Sequence, residues 1–202
     1  GALDAGESAV DFGGVCGSTC GGLTGDEEGY CTVGCPCARG EGDCDSSDEC
    51  QAGLSCVTNK GDRFGIDDKD DVCLDVLTVG ELLAGDLLVT EILIDPFVVV
   101  ESAGEWFEVL NTTNVDIDVN GLLARKRIGN QQFTVNTSLI VEPDGFLVFS
   151  KNGNFALNGG IVEDVDYVNT YLFNNTADSI VLDNGVIEID RVVWTALWPK
   201  PI

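Results

Sequence analysis

All nine cysteines of the chain fall before residue 74: Cys16, Cys20, Cys31, Cys35, Cys37, Cys44, Cys50, Cys56 and Cys73. Cross-links at that density hold a segment together without a large apolar core, and the longer remainder must fold without them. The cysteine segment is rich in Gly and Asp; after Cys37, Leu54, Val57, Phe64 and Ile66 are almost all the large apolar residues it has. Disulfides, each contributing on the order of 2–4 kcal/mol, take over the role of that missing core. Cysteine clusters also hold metals, but Cys31-x3-Cys35-x-Cys37 lacks the paired Cys-x2-Cys knuckles of zinc and iron–sulfur sites, and the chain has no His. The pattern is that of a secreted disulfide scaffold in an oxidising, extracellular or cell-surface setting. Nine is odd, so one thiol is either a buried free cysteine or bonded to another chain, and spacing does not give the connectivity.

Beyond residue 85 short strands alternate with turn formers. The stretch Gly104-Glu105-Trp106-Phe107-Glu108-Val109-Leu110-Asn111 runs into Asn111-Thr112-Thr113-Asn114, which predicts a strand with at least one buried face followed by a turn. Alternation puts Glu105, Phe107 and Val109 on one face and Trp106, Glu108 and Leu110 on the other. Phe107 and Val109 are expected in the core, and Asn111 in the turn. Further strands are expected over residues 86–94, 115–119, 122–128, 132–135 and 146–150, with Asp116 and Asp118 in water. Residues 180–194 read as a hairpin turning at Asp183-Asn184-Gly185. Strands at intervals of roughly 8–12 residues, with no helical periodicity, point to a sandwich of two sheets. The expected organisation is all-β. Residues 1–15 form a flexible or extended arm, 16–75 the disulfide-rich module, 76–85 an apolar joint, and 86–202 the sandwich.

The chain carries 35 acidic and 10 basic residues, a formal net charge of −25. Both parts share the excess, with 18 acidic against 4 basic residues up to residue 85 and 17 against 6 beyond it. Phosphate binding needs clustered Lys and Arg, so nucleic acid is not an expected partner; anionic membranes are repelled, whereas divalent cations are attracted. No apolar run reaches the roughly 18 residues of a spanning helix, so membrane insertion is not expected. Without His the commonest general base is missing, along with Ser-His and Cys-His pairs. The absence of Met and the start Gly1-Ala2-Leu3-Asp4 suggest a processed chain, any signal peptide already removed.

Several pieces, taken in order, resemble the lamin tail domain. They are Leu88-Val89-Thr90-Glu91-Ile92, then Gly104 to Asn111, then Val115-Asp116-Ile117-Asp118-Val119-Asn120-Gly121. Val141-Glu142-Pro143-Asp144-Gly145-Phe146-Leu147-Val148-Phe149, Asp178-Ser179-Ile180-Val181-Leu182, Ile189-Asp190-Arg191-Val192 and Trp198-Pro199 follow. The resemblance implies an immunoglobulin-like β-sandwich. Two departures stand out: Leu122 replaces the Trp usual after the Asn-Gly turn, and the chain stops at Ile202, where the family continues into a last strand. A sandwich without that strand is expected to leave an edge open to strand addition. Residues 40–56 with Asp71-Val72-Cys73 more loosely resemble a small module of secreted multidomain proteins, from which no function carries over.

Four groups of residues are candidates for sites. Asp43, Asp45 and Asp48 crowd one Gly-flanked loop, and Asp67, Asp68, Asp70 and Asp71 another. They read either as solvated acidic loops or as hard oxygen ligands for calcium, the one candidate cofactor, although the EF-hand pattern is absent. Asn111, Asn136 and Asn174 each head an Asn-x-Ser/Thr sequon, read either as glycosylation acceptors or as ordinary turn residues. Arg125 and Arg127 share a strand face in the sole basic cluster, which is a solvated strand end or an assembly contact with an acidic neighbouring copy. For catalysis there is no nucleophile–base pair, phosphate loop or metal triad, and Glu105 and Glu108 lie on opposite strand faces, so no catalytic residue is assigned. The expectation is a non-enzymatic, secreted structural subunit that assembles with copies of itself into a filament or layer. The alternatives are a calcium-dependent adhesion module binding a glycan or surface protein, and a non-catalytic accessory domain of a larger secreted protein.

Overall fold

The computed structural model describes residues 29–167 and 171–197. The expected arm over residues 1–15, together with Cys16, Cys20 and Trp198-Pro199, lies outside the described residues. The chain divides between Val76 and Leu77 into two units.

In the first unit cystines do form the core. Cys31 bonds Cys37, Cys44 bonds Cys56, and Cys50 bonds Cys73. Cys35 is disulfide-bonded as well. None of the seven described cysteines is therefore free, and the odd thiol falls outside the described residues. Two short strands, β1 (Ser55–Val57) and β2 (Val72–Leu74), pair antiparallel with Cys56 opposite Cys73. Their sulfurs reach outward to Cys44 and Cys50, so one short ladder anchors two loops. Carboxylates satisfy backbone groups that no ladder reaches: Asp43 accepts the Asp71 N–H at 3.1 Å, Glu49 that of Asp45 at 2.7 Å, and Asp71 that of Asn59 at 3.0 Å. Gly42 and Gly61 let backbone segments touch; a Cβ there would meet the carbonyls of Asp71 at 2.5 Å and Asp67 at 2.0 Å.

The second unit is an immunoglobulin-like β-sandwich. One sheet contains β4 (Leu87–Leu93), β5 (Trp106–Asn111), β10 (Phe146–Ser150) and β11 (Val165–Asp166), in the order β11-β10-β5-β4. The other contains β7 (Leu123–Arg125), β8 (Gln132–Thr134), β12 (Asp178–Asp183) and β13 (Glu188–Trp194), in the order β13-β12-β7-β8. Three short strands, β3 (Val76–Thr78), β6 (Asp116–Asp118) and β9 (Ile140–Val141), make a third sheet. Val79 and Leu82, in the stretch expected as a joint, belong to the sandwich core. The hairpin of β12 and β13 is closed by Asn184, whose side-chain oxygen accepts the N–H groups of Val186 and Ile187.

On β5 burial alternates as the sequence pattern requires, with Phe107 and Val109 at 0 % exposure. Phe107 stacks on Phe149 with ring centroids 4.7 Å apart, and Phe133, Tyr167 and Phe173 pack around the pair. Aromatic contacts of this kind add about 0.5–1.5 kcal/mol each beyond burial of area. Leu122 is buried in the same core. Two expectations need correction. Asp116 is not in water but 1 % exposed, because β6 is covered on both sides of its pleat; Ile117 beside it is fully buried as well. Asn111 is also inside: its side-chain amide donates to the carbonyls of Val115, Val141 and Glu142, pinning the β5–β6 turn to the strand β9.

The hydroxyls of Tyr167 and Tyr171 donate inside this core to the carbonyls of Glu105 and Ser179. Burial, followed by the carboxylates of Glu105 and Asp178 respectively, pushes both phenols well above their ordinary range. An unfolded tyrosine ionises near pH 10 (about 10), so above that pH the unfolded chain releases protons that the folded chain keeps. Stability should therefore fall as pH rises through about 10. Tyrosinate absorbance from these two residues is expected to appear together with loss of near-UV circular dichroism. Their ionisation at the ordinary tyrosine pH within an intact fold would contradict this packing.

Candidate interaction surface

Two loops leave the same end of the first sheet. Leu93 and Ser150 are both register partners of Trp106, so the β4–β5 connection and the β10–β11 connection start side by side. In the first, Gly104 closes a single helical turn (α1, Glu101–Gly104), and a Cβ there would sit 2.3 Å from Val99 Cγ2 and 2.9 Å from Pro96. The loop thus folds back with Val99 inward, and its neighbours are turned out: Phe97 is 97 % exposed, Val98 91 %, and Val100 is exposed too. In the second loop buried Asn158 is the organiser. Its amide donates to the carbonyls of Asn152 and Ile161, and its oxygen accepts the N–H groups of Gly160 and Ile161. Gly159, with φ +91°, brings this loop against Val99, leaving Phe155, Leu157 and Val162 exposed.

The result is an apolar surface held in place by a buried polar residue and by glycines, not a frayed connection. Neither loop contains a basic residue other than Lys151, which is buried, whereas Asp95, Glu101, Glu163 and Asp164 lie along them. Several large apolar side chains turned to solvent on two adjoining loops are a usual mark of a surface that meets a partner. In the sequence the run Phe97-Val98-Val99-Val100 is only a β-branched stretch. The signal missed was its setting between Asp95-Pro96 and Glu101-Ser102-Ala103-Gly104, where a strand has no neighbour to pair with.

A second apolar feature is a cleft of about 300 Å³ at the ends of β7, β12 and β13, lined by Arg127, Ile128, Ala177, Val193 and Trp194 among others. Ile128 is 82 % exposed at its lip. The basic cluster divides here. Arg125 binds Asp183 through Nε at 3.1 Å and Nη2 at 2.7 Å, and Lys126 is held by Asp178 and the Leu172 carbonyl. Arg127 forms no ion pair among the described residues; its backbone N–H donates to Ser179 Oγ, and its side chain is exposed. A second cleft, about 480 Å³, opens between the edge strands β8 and β11, lined by Phe133, Thr134, Asp164, Asp166 and Tyr167 among others. Its carboxylates are engaged by backbone, Asp164 with the Val148 N–H and Asp166 with that of Gly153.

The two acidic loops meet at Asp43 and Asp71, but their carboxylates do not gather. Among the described residues no three carboxylates bring oxygens within 4.8 Å of one another, so Asp43, Asp45, Asp48, Asp67, Asp68, Asp70 and Asp71 form no multidentate cation cage. Asp67 is held low by the Lys69 N–H, and its hydrogen bond to Asp68 pushes that neighbour up. The sulfurs of Cys44, Cys50 and Cys73 do lie together, but all three are consumed in disulfides. Glu105 faces inward to Lys151, and Glu108 faces outward to Thr90, so the two carboxyls cannot flank one bond.

Of the three sequons, Asn136 and Asn174 are exposed. Asn111 is not an acceptor in the folded protein, since its amide nitrogen is spent on three carbonyls. Replacing Asn111 by Ala would remove all three bonds; the Val115 and Glu142 carbonyls keep the Thr113 hydroxyl and the Gly145 N–H, whereas the buried Val141 carbonyl loses its side-chain donor, at a cost of about 2 kcal/mol. Chemical denaturation should show that loss, while Asn136→Ala and Asn174→Ala should each stay within about 1 kcal/mol of the parent. A near-neutral Asn111→Ala would contradict the structural role given to its amide. Comparison with protein-family models and with curated proteins finds no match to this chain.

Proposed function

We propose that this protein is a non-catalytic, secreted structural subunit, a lamin-tail-like sandwich that assembles with copies of itself into an extracellular filament or layer. The observation that carries the reading is the apolar loop surface of Phe97, Val98 and Val100 with Phe155, Leu157 and Val162. Its acidic margin and the exposed Arg127 beside the apolar cleft carry opposite charge. The two faces differ, so a contact between them is head-to-tail, and repetition of such a contact extends an assembly instead of closing a dimer. The disulfides support an oxidising setting outside the cell. The immunoglobulin-like sandwich and the buried strand around Phe107 support the lamin-tail resemblance.

Burial of Phe97 alone is worth about 1.5–3 kcal/mol, roughly a tenfold to hundredfold change in association constant. Sedimentation velocity and electron microscopy should show large assemblies for the parent chain, and their loss in Phe97→Asp and in Ile128→Asp. Each variant keeps one intact face. Mixing them should therefore restore association only as far as a heterodimer. A parent chain that stays monomeric at high concentration, or variants that assemble unchanged, would defeat the proposal.

A further inference from the structure

Glu105 and Lys151 form the most deeply buried ion pair among the described residues, with side chains 1 % and 5 % exposed and Nζ 2.8 Å from Oε2. Their backbones are joined too: the Lys151 N–H donates to the Glu105 carbonyl at 3.0 Å, one step beyond the last β5–β10 register pair, Trp106 and Ser150. The Phe173 N–H approaches the same Oε2 at 3.4 Å, and the Tyr167 hydroxyl covers the Glu105 carbonyl at 3.3 Å. Glu105 Oε1 is buried with no hydrogen-bond partner. Two full charges with one oxygen unsatisfied are an unfavourable thing to enclose among aromatic rings. Burial pushes the Glu105 carboxyl above its ordinary range, against the opposing pull of Lys151.

In a site this dry, passing one proton from Nζ to the carboxylate removes both charges at once. It also makes a neutral amine beside a protonated carboxyl, which are the nucleophile and the electrophile of amide formation. Held in register by paired strands, such groups react at effective concentrations on the order of 10⁵ M or more. We propose that Lys151 and Glu105 condense to an intramolecular amide that ties β5 to β10. Nζ attacks Cδ, the Nζ–Cδ bond forms as one Cδ–O bond breaks, and the departing oxygen leaves as water. Of the three ammonium hydrogens one stays on the amide nitrogen and two leave in that water, so no oxidant or co-reactant is required. The retained oxygen keeps the Phe173 N–H, and the oxygen without a partner is the one that goes. The other enclosed lysine pair, Lys126 with Asp178, is nearer solvent, and its carboxylate already accepts the Asn174 N–H. The inference stands apart from self-association.

The test is the intact mass of the full chain, denatured and with its disulfides reduced, followed by digestion and tandem mass spectrometry. The expected result is a mass one water below that of the sequence, with a Glu105 peptide joined to a Lys151 peptide. Lys151→Arg keeps a cation for Glu105 but has no amine to condense, and should show the full mass. A parent chain of full mass overturns the proposal. A missing water that persists in Lys151→Arg, as cyclisation at Asp144-Gly145 would give, or a cross-link mapped to Lys126 and Asp178, also overturns it.

Discussion

Packing of Phe107 on Phe149 holds the first sheet of the sandwich in register and gives the second sheet something to close on. Phe133 from β8, with Tyr167 and Phe173 from the connection between β11 and β12, meets that stacked pair; Tyr171 packs edge-on to Phe133 and Phe173, and Trp194 at the end of β13 packs edge-on to Phe173. The rings come from β5, β8, β10, β13 and the β11–β12 connection, so the cluster fixes how elements lie together and not merely that each is a strand. The polar consequences follow from it. Glu105 continues the inward face of β5 and is carried into the core by the same alternation that buries Phe107, which is why it needs Lys151 from the neighbouring strand.

Outside that core the acidic excess has structural employment. Asp190 caps the N–H of Val89 at the bulge in β4, Asp118 accepts the N–H groups of Asn120 and Leu139, and Asp164, Asp166 and Asp178 do the same for Val148, Gly153 and Asn174. In the disulfide module, where ladders are shortest, Asp43, Glu49 and Asp71 take that part. A carboxylate accepting a backbone N–H is a charge-assisted bond, stronger than its neutral counterpart. Loops of short-stranded proteins leave many N–H groups to satisfy. Much of the acidic composition is thus spent on backbone, and the absence of any three-carboxylate cluster among the described residues is the corollary.

Strand identity was legible where burial and alternation coincide, as in β4, β5, β10 and the β12–β13 hairpin. β9 and β11 escaped because two residues carry no periodicity, and their pairing is created by neighbours distant in sequence. Asp116 was misplaced for a related reason. Alternation states which residues share a face, but a third sheet decided that both faces of β6 would be covered. The apolar loops were visible as composition and invisible as a surface, since exposure is a property of what fails to pack on a residue.

What the chain determined locally is its division into a cystine-held part and a strand-rich part, its non-basic surface, and the inward positions of Phe107 and Val109. Those depend on residue type and short-range spacing, which a linear pattern records. Tertiary structure alone decided which cysteines bond and that Asn111 is a buried clamp and not a surface acceptor. It alone set Lys151 opposite Glu105 and turned Phe97 and Val98 outward. Each of these depends on contacts between segments tens of residues apart, where the free energy of burial, and not any local preference, chooses the neighbour.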